Sequence, residues 1–322
     1  MAFKTCHRIS SAFGSAFMSE APRILYSNIP YKLCLSLQPR MTTRSEEPIS
    51  TVQYKNRFYP HHELCVNGAY MRFEAVLFDL FNTLVLVEGD DKFYLPSLKK
   101  LHRSLVRSGI EVTFEDFKKA YFQVRDRLYV DYEKNLEEPH FNVRISQVLQ
   151  RFGYDLECDH AAVKTATKAF CREFMRYMRL DKDARYVLRR LHAQYKLGVV
   201  SNFALPECVE QIFVKFRLRG LFDTVMISGS INKRKPSPEI FQKTLADLDV
   251  KASEAIFVGD TPSLDVKGAR NAGIKSVLIK RRTSGPTDSM PLTLNPHEED
   301  EDVKPDEVIR NLKELLHVLE HC

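Results

Sequence analysis

The chain has 322 residues, 44% hydrophobic and 28% charged, an ordinary globular composition. No apolar run approaches the roughly 18 residues of a membrane-spanning helix, and Gly (12) and Pro (15) are too few for a collagen-like or wholly disordered chain. The net charge of +6 is uneven: residues 1–70 hold eight Lys/Arg against four Asp/Glu, which leaves +2 for the rest, so a nearly neutral folded part implies no nucleic-acid partner.

Residues 1–70 carry no clear helical or strand period and are punctuated by Ser, Pro and Arg. They read as a disordered extension or as an acid-poor targeting segment of the organellar-import kind. Met71 stands just before the first clear strand. The seven cysteines are odd in number, scattered and never in C-x-x-C spacing, which favours a reducing, cytoplasmic setting over a disulfide framework or a zinc site.

From residue 74 the pattern changes. The apolar run Ala75-Val76-Leu77-Phe78 reads as a buried strand. A polar connection is expected over 86–95, then helices near 96–108, 114–128, 140–151 and 160–178. In the second of these Phe114, Phe117, Tyr121, Val124 and Leu128 recur at helical spacing after a start at Thr113. No strand signal interrupts this stretch. Strand and helix then alternate: a helix around Ala184–Leu191, strand Leu197–Val200, helix 206–217, strand Thr224–Ile227, helix 238–247, strand Ala255–Val258, helix 265–272 and strand Ser276–Ile279. A polar acidic loop (284–304) and a final amphipathic helix, Asp306–Leu319, follow. The alternation predicts an α/β fold, a doubly wound (Rossmann-like) parallel sheet with an inserted all-helical cap domain. The expected boundaries are 1–70 for the extension, 71–90 and 180–322 for the α/β core, and 91–179 for the cap.

Ligands of open α/β sheets bind at the carboxyl ends of the strands. Asp79 follows the first strand, Ser201 and Asn202 the second, Lys235 the third, and Asp260 the fourth, with Asp265 five residues further on. Carboxylates gathered at one rim are costly without a cation. An oxygen-only acidic set suits Mg²⁺ together with substrate phosphate oxygens. Taken singly, each residue has a plainer reading: Asp79 or Asp265 as a helix cap, Ser201-Asn202 as turn chemistry, and Lys235, within Lys233-Arg234-Lys235, as part of a solvated face.

Taken together and in order, Phe78-Asp79-Leu80-Phe81-Asn82-Thr83-Leu84, Val200-Ser201-Asn202, Lys235-Pro236-Ser237-Pro238 and Gly259-Asp260-Thr261-Pro262-Ser263-Leu264-Asp265 resemble the four motifs of the haloacid dehalogenase-like hydrolase superfamily, with the spacing of members that carry a C1-type helical cap. The resemblance covers about residues 73–320. It implies Asp79 as a nucleophile that forms an aspartyl-phosphate, and Ser201 with the Asn202 amide as holders of phosphoryl oxygens. It implies Lys235 as the charge that offsets both, and a Mg²⁺ site from Asp79, the Phe81 backbone carbonyl, Asp260 and Asp265. The substrate so implied is a small phosphorylated metabolite, with no nucleic acid and no membrane; the oligomeric state stays open.

One position departs from the pattern. Phosphatases of the superfamily usually carry a second Asp two residues after the nucleophile, as leaving-group acid, where this chain has Phe81. That slot is also non-acidic in the family's 2-haloacid dehalogenases, which usually lack the Gly-Asp-x-x-x-x-Asp pair kept here. The alternatives to a Mg²⁺-dependent phosphatase are therefore a 2-haloacid dehalogenase-type hydrolase and a catalytically weak relative used for binding. Cys208, on the helix after the second motif, reads as an inert structural thiol.

Overall fold

Both faces of the first predicted strand are apolar, and this places it at the centre of the molecule. The computed structural model describes residues 64–66, 69–71, 73–87, 90–281 and 303–321. Residues 1–63 of the expected extension over 1–70 and the acidic run 297–302 lie outside the described residues.

In chain order, β1 (Leu64–Val66) and β2 (Ala69–Met71) form an antiparallel hairpin. Strand structure therefore begins ahead of Met71, within the segment expected to lack it; three-residue strands are too short to show a period. Strands β3 (Ala75–Phe78) and β4 (Val85–Val87) follow, then helices α1 (Asp90–Arg107), α2 (Phe114–Glu133), α3 (Phe141–Gln150) and α4 (Ala161–Phe174). The chain continues through β5 (Met178–Leu180), α5 (Ala184–His192), β6 (Lys196–Ser201), α6 (Pro206–Phe216), β7 (Thr224–Ile227), the single turn α7 (Ser228–Ile231) and α8 (Pro238–Leu248). It ends with β8 (Ala255–Gly259), α9 (Lys267–Asn271), β9 (Lys275–Ile279), β10 (Glu307–Ile309) and α10 (Glu314–His321).

The main sheet has the order β10-β9-β8-β3-β6-β7, and every pairing in it is parallel. Alternate residues of β3 enter different cores. Val76 and Phe78 face the cluster that holds Val187, Leu188, Ile212 and Leu315, while Ala75 and Leu77 face Ile240, Phe241 and Leu245 of α8. Helices on both sides bury the central strands β3 and β8 completely, so these read as unbroken apolar runs instead of alternating ones; the edge strands β7 and β10 are partly exposed.

Three further expectations differ from the structure. The polar connection of 86–95 holds β4 and the first turn of α1. The stretch read as purely helical closes with β5, which pairs antiparallel with β4 (Val85 with Leu180, Val87 with Met178). The helix expected over Asp306–Leu319 begins only at Glu314; residues 307–309 form instead the edge strand β10, held by its parallel pairing with β9, a non-local contact that a helical period does not report. The capped start of α2 is as expected: the Thr113 hydroxyl accepts from the Asp116 N–H at 3.2 Å, and Phe117, Tyr121, Val124 and Leu128 are buried.

The helices between β4 and β5 dock on the sheet through a loop that follows α2. The Phe141 N–H donates to the Ala204 carbonyl, the Arg234 N–H to the Leu136 carbonyl, and the Lys233 ammonium to the Asn135 carbonyl at 2.9 Å. Buried Glu138 accepts from the Ser228 hydroxyl at 2.5 Å, and Ser228 in turn accepts from the Phe203 N–H at 2.8 Å. Burial, the largest influence, raises the Glu138 pKa; the Ser228 hydroxyl and the Arg234 and Arg144 charges oppose it. Among the described residues no helix is long and apolar enough to cross a membrane.

Candidate active site

The strand order reverses beside β3: from it the chain runs outward to β6 and β7 on one side, and to β8, β9 and β10 on the other. Open α/β sheets bind ligands in the crevice at such a point. Register sets the rest. Phe78 pairs with Val199 of β6 and with Val258 of β8, so Asp79, Ser201 and Asp260 emerge at the same rim within two residues of one another along their strands.

Asp79 donates its N–H to the Val258 carbonyl at 2.8 Å, which fixes the turn out of β3. The chain then folds back tightly. The Leu84 and Val85 N–H groups both donate to the Leu80 carbonyl, and Asn82 adopts a left-handed conformation (φ 58°) that Asn tolerates better than most residues. Arg281, beyond β9, clamps this loop: it donates to the Asn82 and Thr83 carbonyls and pairs with Asp181 at 2.7 Å.

Lys235 is 2% exposed, so it is no part of a solvated face. Its ammonium donates to Asp79 Oδ1 at 2.6 Å and to Asp265 Oδ1 at 2.7 Å. Its two neighbours in the basic run point elsewhere: Lys233 to the Asn135 carbonyl and Arg234 over the Tyr129 ring, 4.7 Å from its centroid. Asn202 holds the lysine's backbone from both sides. Its Oδ1 accepts from the Lys235 N–H at 2.7 Å and its Nδ2 donates to the Lys235 carbonyl at 3.1 Å. The Asn202 side-chain amide is thus engaged in positioning the lysine.

Asp265 is also committed. Oδ1 accepts from Lys235, and Oδ2 accepts from the Thr261 N–H at 2.9 Å. It packs so close to Gly259 that a Cβ there would lie 2.4 Å from its carboxyl carbon, which explains the glycine ahead of Asp260. Asp79, Asp260 and Asp265 each offer one oxygen within 4.8 Å of the others. Three polar atoms of the site segments are buried without a partner, Asp79 Oδ2, the Thr83 hydroxyl and the Ser201 hydroxyl.

The electrostatics follow. Burial pushes the Asp79 carboxyl from 3.8 up to about 6; Lys235 opposes this and Asp265 adds to it. Asp260 is raised well above the usual carboxylate range by burial and then by the Asp79 and Asp265 charges. For Lys235, burial favours the neutral amine, but Asp265 and Asp79 outweigh it and raise its pKa, so the ammonium is retained. Two buried carboxylates, Asp79 and Asp265, and the half-buried Asp260 facing one ammonium leave a deficit of positive charge, which a divalent cation with oxygen ligands would offset.

Phe81 is half-buried. Its ring lies 5.0 Å from that of Phe203, after β6, and 6.1 Å from that of Phe174, at the end of α4. The buried Thr83 hydroxyl lies close enough to Asp79 to favour its ionised carboxylate; reading residues one at a time passes it over, although it stands inside the first motif. The Cys208 thiol is buried and raised by burial and by Cys171, consistent with an inert thiol.

Comparison with known proteins agrees with this geometry. The family model described as haloacid dehalogenase-like hydrolase matches residues 112–279. A glyceraldehyde 3-phosphate phosphatase of Pyrococcus furiosus is 32% identical over 210 residues, covering 65% of this chain and 81% of that protein. The human N-acylneuraminate-9-phosphatase is 26% identical, covering 69% and 88%. A solved HAD phosphatase of Thermococcus onnurineus superposes with a TM-score of 0.50 at 26% identity, over 77% of this chain and 98% of that one. A 2-haloacid dehalogenase of Pseudomonas syringae shares the fold, with a TM-score of 0.53 at 22% identity over 77% and 98%. Motifs, sheet order and relatives converge, and the chain belongs to the haloacid dehalogenase-like hydrolase family.

Proposed function

We propose that the protein is a Mg²⁺-dependent phosphatase of a small phosphorylated metabolite, acting through an aspartyl-phosphate on Asp79, with residues 91–179 as the cap over the site. The observation that carries this reading is the buried Asp79–Lys235–Asp265 bridge beside Asp260, with one Asp79 oxygen left without a partner. The relatives from Pyrococcus furiosus and human reported above are both phosphatases.

Asp79 Oδ2 attacks phosphorus, the bond to the leaving oxygen breaks, and water later cleaves the acyl phosphate to restore the carboxylate. Lys235 holds Oδ1, and so presents Oδ2. The Ser201 hydroxyl donates to a phosphoryl oxygen. Asp79, the Phe81 carbonyl and Asp260 would hold Mg²⁺, with Asp265 keeping Lys235 in place; the cation would supply charge neutralisation for the phosphoryl oxygens. Turnover of an aryl phosphate with and without Mg²⁺, beside chloride release from a 2-haloacid, tests the reading. Mg²⁺-dependent phosphate release is expected. Metal-independent halide release would replace the reading with the dehalogenase one, which Phe81 favours because halide departure needs no acid. Neither activity in a folded protein would point to a binding role.

Phe81 makes a prediction within the phosphatase reading. A general acid contributes about 10²–10⁴-fold, and an aromatic ring packed on Phe174 and Phe203 supplies no proton. Aryl and acyl phosphates should therefore be hydrolysed far faster than alkyl phosphates. Equal efficiency on aryl and alkyl phosphates would show that another group donates the proton. Phe81→Asp is expected to narrow the gap while lowering stability, since aromatic pairs contribute about 0.5–1.5 kcal/mol beyond their burial.

A further inference from the structure

On the side of α4 away from Phe170 and Phe174, α1 and α4 flank an open concavity of about 530 Å³, lined by exposed basic side chains. It shares no residue with the site described above. Lys100, Arg103 and Arg107 of α1 stand at i, i+3 and i+7, and so on one helix face. Arg172 and Arg176, four residues apart, face them from α4 and the turn that follows it. The acid in the lining is Glu173, and it is already engaged, with Arg176 at 3.5 Å and the Tyr177 hydroxyl at 3.4 Å. Among the described residues no carboxylate pairs with Lys100, Arg103, Arg107 or Arg172. Five cations against one acid, drawn from two helices into one hollow, repel one another until an anion enters.

We propose that this hollow is a binding site for an oligophosphate group, the chemistry shared by a nucleoside triphosphate and inorganic tripolyphosphate. The size is that of a small-molecule site. Guanidinium groups match phosphate oxygens in paired hydrogen bonds, and the Ser104 and Thr165 hydroxyls in the lining add neutral donors. A single phosphate would leave most of the positive charge uncompensated; three linked phosphates match it. Nucleic acid fits less well, because it needs a basic stripe across the surface, and the charge of residues 71–322 nets only +2.

The test is calorimetric titration of the full chain with tripolyphosphate and with ATP, in the absence of divalent cations, in three proteins: unmodified, Arg103→Ala/Arg172→Ala, and Ser201→Ala. Binding to the unmodified protein should weaken steeply with added salt. The arginine double variant should lose at least about tenfold in affinity, with its melting temperature and its aryl phosphate turnover unchanged. Ser201→Ala should bind as the unmodified protein does. Equal affinity for ATP and tripolyphosphate would mean that only the phosphates are read; tighter ATP binding, also lost in the arginine variant, would mean that a nucleotide is the ligand. No binding, or binding lost in Ser201→Ala but kept in the arginine variant, would overturn the proposal. So would displacement of tripolyphosphate by a short single-stranded RNA more effectively than by ATP.

Discussion

Asp79→Asn is expected to reduce aryl phosphate turnover to background, a loss of about 10⁴-fold or more on the scale of nucleophile-triad deletions in other hydrolases. The substitution preserves shape. Asn can still accept from the Lys235 ammonium, which lies 2.6 Å from Asp79 Oδ1, but it offers no second anionic oxygen to phosphorus. Its stability effect has the opposite sign and separates chemistry from folding. Because the native Asp79 carboxyl is raised from 3.8 to about 6, the native state binds more protons than the unfolded one across that window. Metal-free stability therefore falls as pH rises through the window, and the deficit is fully present above it. Asn removes the ionisation. Melting curves at pH 7 without Mg²⁺ should show Asp79→Asn at least as stable as the unmodified protein, with the difference vanishing below pH 3.8, where both side chains are neutral. Near-normal turnover in the variant would discard the aspartyl-phosphate mechanism entirely.

How much of this was legible in the sequence depends on element length and on where each side chain spends its hydrogen bonds. Strands β3 and β8 are apolar on both faces and long enough to stand out, so the parallel sheet and the rim residues after it were readable. Strands β4 and β5 have three residues each and exist because they pair with one another, a non-local fact that no window of sequence contains. The candidate site was legible as a set of positions, since four strand ends each presented a polar residue. The division of labour within it was not. Nothing in Lys233-Arg234-Lys235 alone says that the third bridges two carboxylates while Arg234, buried as well, lies over a tyrosine ring, and nothing in Ser201-Asn202 says that the amide would clamp a backbone 33 residues away while the hydroxyl stays unpartnered. Arg281 is a similar case: it closes the first-motif loop from 199 residues downstream.

Lys235→Met should damage both stability and rate, because the lysine sits between two buried carboxylates. Removing one partner of a buried ion pair costs about 3–5 kcal/mol, and here the remaining partners are two acids with their Oδ1 atoms directed at the same point. For a domain of this size each kcal/mol moves the melting temperature by about 2–4 °C, so a fall of roughly 6–20 °C is expected at neutral pH without metal. Lowering the pH protonates Asp79, whose carboxyl is already raised to about 6, and the deficit should shrink. Mg²⁺ should restore part of the lost stability by replacing one positive charge with another. The pairing is separable from the chemistry. Lys235→Met/Asp265→Asn removes the second charge as well and should recover most of the melting temperature, while turnover stays low because Asp79 Oδ1 is no longer held and the phosphoryl charge has lost its neighbour. An unchanged melting temperature in Lys235→Met at pH 7 would mean that Asp79 and Asp265 do not depend on the lysine for charge compensation. Full recovery of turnover in the double variant would mean that the lysine acts only on the fold.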